Sequence, residues 1–101
     1  MSHRLEIRLQ ALADIAESAE WYEDREPGLG ERFKRDIVAA INALPPKALF
    51  YRIRNRRLGA RWCYPNNFPH RIVYRVSDQT ITIVAVIHAS RRDHLWKKRL
   101  S

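Results

Sequence analysis

Hydrophobic and polar positions follow two different periods in the N-terminal half of the chain. Residues 3–9 alternate between aliphatic and charged side chains, which predicts a short strand with one buried face. From Ala11 the apolar residues recur every three or four positions, and this spacing predicts an amphipathic helix that ends at Pro27. A second stripe of the same period runs up to Pro45, the first of two prolines. The short turn between the helices predicts an antiparallel helical hairpin.

The C-terminal half has the patterns of strands. Two short extended pieces are predicted at residues 49–54 and 60–64, each next to an Arg-rich turn. Residues 70–76 alternate, whereas residues 80–88 are apolar on both faces and rich in β-branched side chains, as in a central strand. The three residues between them predict a tight turn, so the two segments form a β-hairpin. The tail, residues 91–100, is basic and predicts a short helix or an irregular arm.

This order of elements predicts an α+β fold of two layers. An N-terminal strand is followed by a helical hairpin, which packs on a small, mostly antiparallel β-sheet in the order β-α-α-β-β-β, and a short basic C-terminal tail ends the chain. The length of 101 residues fits one domain, residues 1–101. The second face of the sheet is left for a partner or for solvent.

Charge changes this picture because it is distributed unevenly. Residues 1–36 hold 6 basic and 9 acidic side chains, a net charge of −3, whereas residues 37–101 hold 13 basic and 2 acidic side chains, a net charge of +11. Arginine supplies 15 of the 19 cations, and its planar fork suits phosphate and carboxylate. The C-terminal part is therefore expected to meet a nucleic acid, an acidic protein segment or an anionic membrane surface, with a merely solvated basic surface as the alternative.

Several classes of protein are excluded by the remaining composition. A single cysteine, Cys63, allows no intramolecular disulfide and favours a reducing, cytoplasmic location. The longest uncharged run, residues 79–90, is 12 residues long, which is short of the ~20 that cross a bilayer, so no membrane association is expected. No metal site or cofactor is expected, because the four histidines share no ligand spacing and no Gly-rich loop follows a strand.

One end of the predicted β-hairpin gathers residues that could act on a phosphodiester. Antiparallel pairing brings His70 and Arg71, at the start of one strand, near His88 and Arg91, at the end of the other. A histidine of near-neutral pKa can accept the proton of a 2′-hydroxyl while arginine stabilises the phosphorane. The alternative is an exposed basic sheet end in which His88 bonds to backbone.

Two tryptophans in basic stretches are candidates for contact with a partner. Trp62 and Trp96 could stack on a base or anchor a peptide, although a core or rim packing role is favoured for each taken singly. With the neighbouring cations they make up the predicted partner-binding set: Arg56, Arg57, Arg61, Trp62, Arg75, Arg92, Trp96, Lys97, Lys98 and Arg99.

Short motifs are spread over the predicted elements of the chain. Trp21-Tyr22-Glu23, the turn PGLG at residues 27–30 and Arg32-Phe33 lie in the predicted helical hairpin. The sequence FPHRIVY at residues 68–74 lies in the penultimate strand, and HASRRD at residues 88–93 follows the last strand. In this order and spacing the motifs resemble those of the RelE/ParE superfamily of bacterial type II toxin–antitoxin toxins. The match covers residues 5–100 in the element order derived above.

The resemblance implies a cytoplasmic toxin that a cognate acidic antitoxin neutralises. RelE-like members cut mRNA on the ribosome, whereas ParE-like members inhibit DNA gyrase without nuclease activity. Arg71 and Arg91 match two cationic positions of RelE-like active sites, and Trp96 corresponds loosely to an aromatic residue near the C-terminus. The stretch before Phe68, residues 60–67, holds Arg61 but no lysine, whereas RelE-like members place lysines there. The WYE and PGLG motifs favour the ParE-like branch.

Three functions follow as hypotheses. The leading one is a ParE-like toxin that binds DNA gyrase and is not an enzyme. The second is a ribosome-dependent endoribonuclease that uses Arg71, Arg91, His88 and His70. The third is a non-toxic basic module that binds nucleic acid.

Overall fold

A four-stranded mixed sheet with helices on both faces forms the fold, and the computed structural model describes residues 3–91 and 94–100 of it. The elements are β1 (Arg4–Ile7), α1 (Leu9–Arg25), α2 (Leu29–Asn42), β2 (Arg61–Cys63), β3 (His70–Ser77), β4 (Thr80–His88) and α3 (His94–Leu100), with one 3₁₀ turn at Pro45–Lys47. None of the helices in these described ranges is long and apolar enough to cross a membrane.

The sheet has the strand order β1-β4-β3-β2. β1 runs parallel to β4, whereas β3 pairs antiparallel with both β4 and β2. The predicted α+β fold with a mostly antiparallel sheet and a helical hairpin is therefore confirmed. β4 is the central strand that the apolar run predicts, and the turn into it needs only two residues, since Ser77 pairs with Thr80. Asp78 in this turn adopts a positive φ of 57°, which aspartate tolerates.

A bulge in β4 sets which side chains share a face. Val73 pairs with Ala85, but the next residue of β3, Tyr74, pairs with Ile83, so Val84 is an extra residue in β4. Beyond it, the even-numbered residues of β4 turn toward the helical hairpin. As a result His88, rather than Ile87, lies opposite His70.

The face of the sheet under α1 and α2, the hairpin face, holds the main core. Fully buried side chains from both layers meet there: Ala11, Ala19, Phe33, Ile37, Ile41, Ile72, Tyr74, Ile81, Ile83 and Val86. The two helices approach closely at Gly30, where a Cβ would lie 2.5 Å from the carbonyl oxygen of Ala19. The Glu23 carboxylate accepts the backbone N–H groups of Gly28 and Gly30 at 2.8 and 2.9 Å, which fixes the start of α2.

The opposite side of the sheet, the second face, is only partly covered. α3 packs there through Trp96, which joins Val73, Ala85 and Ile87 in a smaller core. Leu58 and Trp62 flank this cluster. The tail is thus a helix that covers part of the face that the sequence left open.

Two helix boundaries and one predicted strand differ from the sequence prediction. α1 begins at Leu9, two residues earlier than predicted, and α2 ends at Asn42, before the proline pair. The predicted extended piece at residues 49–54 is wrong, because this segment consists of turns and bends. Its first turn is closed by the Phe50 N–H, which donates to the Lys47 carbonyl oxygen at 3.0 Å.

Candidate functional site

The two histidines at the end of the β3–β4 hairpin form a pair, as the sequence predicted. The ring centroids of His70 and His88 are 5.3 Å apart. His70 also packs against Phe33 at 4.8 Å and Tyr22 at 5.8 Å, so its side chain is only 4% exposed. The pair therefore belongs to the rim of the hairpin-face core.

This environment changes the acid–base chemistry of His70. Burial, together with a smaller effect of the nearby His88, lowers its pKa to about 4. Its Nδ1 atom is buried without a hydrogen-bond partner among the described residues. At neutral pH the ring is uncharged, and a histidine with so low a pKa is a weak general base.

His88 is held by the residues that follow β4. Its Nδ1 atom accepts the backbone N–H of Ser90 at 3.0 Å and lies 2.7 Å from the Ser90 hydroxyl. Because Nδ1 acts as the acceptor, the neutral ring carries its proton on Nε2. The expected bond between His88 and the backbone is thus present.

Arg71 does not join the histidines. Adjacent residues of a strand point to opposite faces, so Arg71 lies on the second face while His70 lies on the hairpin face. Its guanidinium carbon is 4.5 Å from the centroid of the Trp62 ring, and its Nε is 3.5 Å from the Tyr64 hydroxyl. The predicted group of two arginines and two histidines is therefore divided by the sheet.

Arg91 and the histidines do share a groove, whose volume is about 730 Å³. Arg91, His88 and His70 line one wall, at the start of β3 and the end of β4. The other wall is formed by α1, which contributes the carboxylates of Asp14, Glu17, Glu20 and Asp24. An anionic phosphodiester in this groove would therefore meet like charges along one side.

Arg99, a predicted binding residue, forms a partly buried ion pair. Its guanidinium donates to both carboxylate oxygens of Asp14, at 2.7 and 3.0 Å, and to the Val84 carbonyl oxygen at 3.1 Å. Asp14 also accepts the backbone N–H of Val86 at 3.0 Å. Because β1 pairs with β4 only as far as Ile83, Asp14 supplies the acceptor that a neighbouring strand would otherwise offer to Val86. The bond to Asp14 raises the pKa of Arg99. Sequence reasoning missed Asp14, although its place one turn after the buried Ala11 was a signal.

Trp96 is likewise internal, since only 1% of it is exposed. Its ring meets that of Trp62 edge to face with centroids 5.8 Å apart, and Lys97 Nζ lies 5.7 Å from its centroid. In this conformation Trp96 supports the second face and offers no surface to a partner. Lys97 and Lys98 are exposed on α3.

The sequence matches a family model described as the ParE toxin of the type II toxin–antitoxin system, parDE, over residues 5–93. The chain belongs to the ParE toxin family. The match runs from β1 past the end of β4 and thus includes both faces of the sheet. A search of curated proteins finds no significant match.

Solved structures show the same fold. A chain of the chromosomal ParDE TA system from P. aeruginosa has a TM-score of 0.77, covers 86% of this chain and 96% of its own length, and is 20% identical. A mutant of the E. coli toxin RelE in the free state has a TM-score of 0.55, covers 99% and 95%, and is 16% identical. The likeness concerns the fold alone.

The remaining predicted cations that the structure of this ParE-family chain describes lie in different parts of the fold. Arg75 is half-buried on β3, on the same side as Arg71. Arg56 and Arg57 are exposed in the turn before β2. Arg61 donates to the carbonyl oxygens of Leu49 and Tyr51, so it anchors the preceding loop. Arg92 lies outside the described residues.

A further cation, Arg54, was missed by sequence reasoning. Its guanidinium carbon lies 5.0 Å from the centroid of Trp62, so this ring contacts both Arg54 and Arg71. Nothing in the local pattern distinguished Arg54 from its neighbours, because only folding brings the loop to β2. Within the described residues no three His, Cys, Asp or Glu side chains are placed to hold a metal ion.

Proposed function

We propose that this ParE-family chain is the toxin of a type II toxin–antitoxin pair and that a cognate acidic antitoxin neutralises it. The family match carries the proposal, and the net charge of +11 on residues 37–101 supports an acidic partner. Induced expression should arrest growth, and co-expression of a short neighbouring gene for an acidic, helix-rich protein should restore it. Growth that continues under full expression of the folded chain would refute the toxin.

The mode of action that we propose is binding to DNA gyrase rather than cleavage of RNA. The division of the candidate catalytic residues is the observation that supports it most. Arg71 lies on the second face, whereas His70 is buried and neutral on the hairpin face. Arg91 shares its groove with carboxylates. The four candidate catalytic residues thus do not line one common groove, because Arg71 is on the other face of the sheet.

A supercoiling assay tests this mode directly. Purified chain should inhibit gyrase-dependent supercoiling of relaxed plasmid, and chain saturated with its antitoxin should not. Cells expressing the chain should form filaments and show DNA damage, as expected when gyrase is blocked. Unchanged supercoiling at a large excess of folded chain would contradict the gyrase target.

Ribosome-dependent cleavage of mRNA is the second candidate. It is favoured by one observation, the groove that Arg91 shares with His70 and His88. Toe-printing on programmed ribosomes should then show cuts in the A site, and these cuts should disappear in the Arg71→Ala, Arg91→Ala double variant. Absent cuts, or cuts that persist in that variant, would refute this mechanism. The nucleic-acid-binding module predicts strong salt dependence of oligonucleotide binding and no growth arrest.

A further inference from the structure

The N-terminal strand β1 forms an edge of the sheet. Its single neighbour in the sheet that the described residues form is β4, with which it runs parallel. The backbone N–H of Arg4 donates to the Gln79 carbonyl oxygen at 2.6 Å, so the backbone of Arg4 faces β4. In a parallel ladder every second residue of a strand directs both of its backbone groups to the neighbour. Leu5 and Ile7 therefore direct theirs to the open edge, where a further strand can pair.

The exposed side chains of β1 carry opposite charges. Leu5 packs against the core of the hairpin face, so Arg4 and Glu6 lie on the second face. Their side chains are 76% and 58% exposed, with a guanidinium nitrogen 3.9 Å from the carboxylate. Edge strands that are protected against pairing carry charges that repel or block a second strand. Opposite charges at alternate positions instead complement a second copy of the same strand that runs in the opposite direction.

The charges also select one register for such a pair. Centred on Leu5, antiparallel pairing places Leu5 opposite Leu5 of the second copy, with their outward backbone groups exchanging hydrogen bonds. Arg4 then lies opposite Glu6 of the second copy, and Glu6 lies opposite its Arg4. These are non-hydrogen-bonded pairs, in which the side chains come closest. A shift of the centre by one residue places Arg4 opposite Arg4, or Glu6 opposite Glu6, and like charges directly opposite one another are destabilising.

An apolar surface adjoins the same edge on the hairpin face. Ile7 remains 38% exposed at the end of β1. With Leu12 and Val38, which are 47% and 50% exposed, it lines a largely apolar groove of about 280 Å³. In the register centred on Leu5, His3 of the second copy lies opposite Ile7 and covers part of this surface.

The overall charge of the chain permits contact at this edge. Two copies that each carry a net charge of +8 repel one another where their basic parts approach. Residues 1–36, which include β1, have a net charge of −3, and the neighbouring strand β4 contains no Lys, Arg, Asp or Glu. Contact through β1 therefore keeps the basic residues of the two copies away from the centre of the interface.

We propose that two copies of this chain pair through β1, antiparallel and centred on Leu5, to form a homodimer with one continuous sheet. A two-fold axis passes between the two Leu5 residues, so each copy contributes the same surface. The contact between four-residue strands is short. It buries less than the roughly 800 Å² per partner of a standard interface, so the dimer dissociates reversibly on dilution.

Analytical ultracentrifugation of the purified full chain tests for the dimer. Sedimentation equilibrium over a series of concentrations should fit a reversible equilibrium between monomer and dimer. A chain that stays monomeric at every concentration would overturn the proposal. The measurement involves neither growth arrest nor gyrase nor an antitoxin, so absence of the dimer is distinct from failure of the proposed function.

Charge reversal in β1 tests the register. Arg4→Glu and Glu6→Arg each place like charges opposite one another, so each should raise the dissociation constant of the dimer by about tenfold or more. Glu31→Arg and Arg35→Glu, at exposed positions of α2, are matched controls and should leave it unchanged. Equal effects of the β1 and α2 variants would overturn the assignment of the interface to β1.

Restoration of the dimer provides the strictest test, because it shows that the reversed chains are still folded. In the Arg4→Glu, Glu6→Arg double variant the two charges are exchanged and again complement those of a second copy. Mixing the two single variants in equal amounts should likewise restore dimers, each containing one chain of each kind. If neither the double variant nor the mixture dimerises as the unaltered chain does, the proposed register is wrong.

Discussion

The two faces of the sheet differ in how far they bury their polar side chains. On the hairpin face, α1 and α2 bury even a histidine, and His70 responds by losing its charge. On the second face, Arg71 keeps contact with Trp62 and Tyr64 in a region that α3 only partly covers. His70 and Arg71, which are adjacent in β3, thus lie in opposite environments. The comparison indicates that the hairpin face stabilises the fold by burial, whereas the second face leaves a cation partly exposed.

The largest effect should come from the centre of the hairpin face. Phe33 is fully buried against Tyr22, Phe68 and His70, so Phe33→Ala should lower the free energy of unfolding by about 3–5 kcal/mol. Phe50→Ala, at a side chain that is 85% exposed in the loop before β2, should change it by less than about 0.5 kcal/mol. Urea unfolding measures both variants, and similar losses would contradict the assignment of Phe33 to the core and of Phe50 to the surface.

The pH dependence of stability tests the burial of His70. An unfolded histidine titrates near 6.5 and His70 near 4, so the unfolded state binds more protons between these values and stability falls as the pH drops through this window. The loss from pH 7 to pH 5 should be about 2 kcal/mol, and His70→Phe should remove it. His94→Gln, at an exposed histidine of α3, should leave the slope unchanged. An unaltered slope in His70→Phe would contradict this origin.

The ion pair of Asp14 and Arg99 connects the two faces around the edge of β4. Asp14→Ala removes the carboxylate that accepts hydrogen bonds from both the Arg99 guanidinium and the Val86 N–H, and should cost about 2 kcal/mol of unfolding free energy. A double-mutant cycle with Arg99→Ala should give a coupling of about 1 kcal/mol. Glu31→Ala, which breaks the exposed bridge to Lys34, should cost less than about 0.5 kcal/mol. Additive losses at Asp14 and Arg99 would refute the pair.

The smallest effect on stability is expected at Arg54, whose guanidinium lies over the Trp62 ring. Arg54→Gln removes this cation from the ring and should cost about 0.5–1 kcal/mol of unfolding free energy. Urea unfolding measures the change, and a loss as large as that of Phe33→Ala would contradict the contrast between the two faces.

Part of this molecule follows from local pattern. Strict alternation in β3, the apolar run of β4 and the short turn between them predict the β-hairpin, and the apolar stripes of α1 and α2 predict the helical hairpin. The same method fails for the segment 49–54, because its apolar side chains remain exposed. Two of its carbonyl oxygens accept hydrogen bonds from Arg61 on β2, a contact that only folding provides. Sequence pattern assumes that apolar residues are buried, and the exposed Leu49, Phe50 and Ile53 do not meet that assumption.

The sequence by itself determined the order of elements, the family resemblance and the uneven charge, since periodicity and composition are local properties. Only the tertiary structure decided which functional residues meet. An extra residue, Val84, shifts the register so that His88 lies opposite His70, and strand geometry sends Arg71 to the other face. Folding also pairs Arg99 with Asp14 and buries Trp96 in the second-face core. Local pattern could not predict these contacts, because the partners lie far away in sequence.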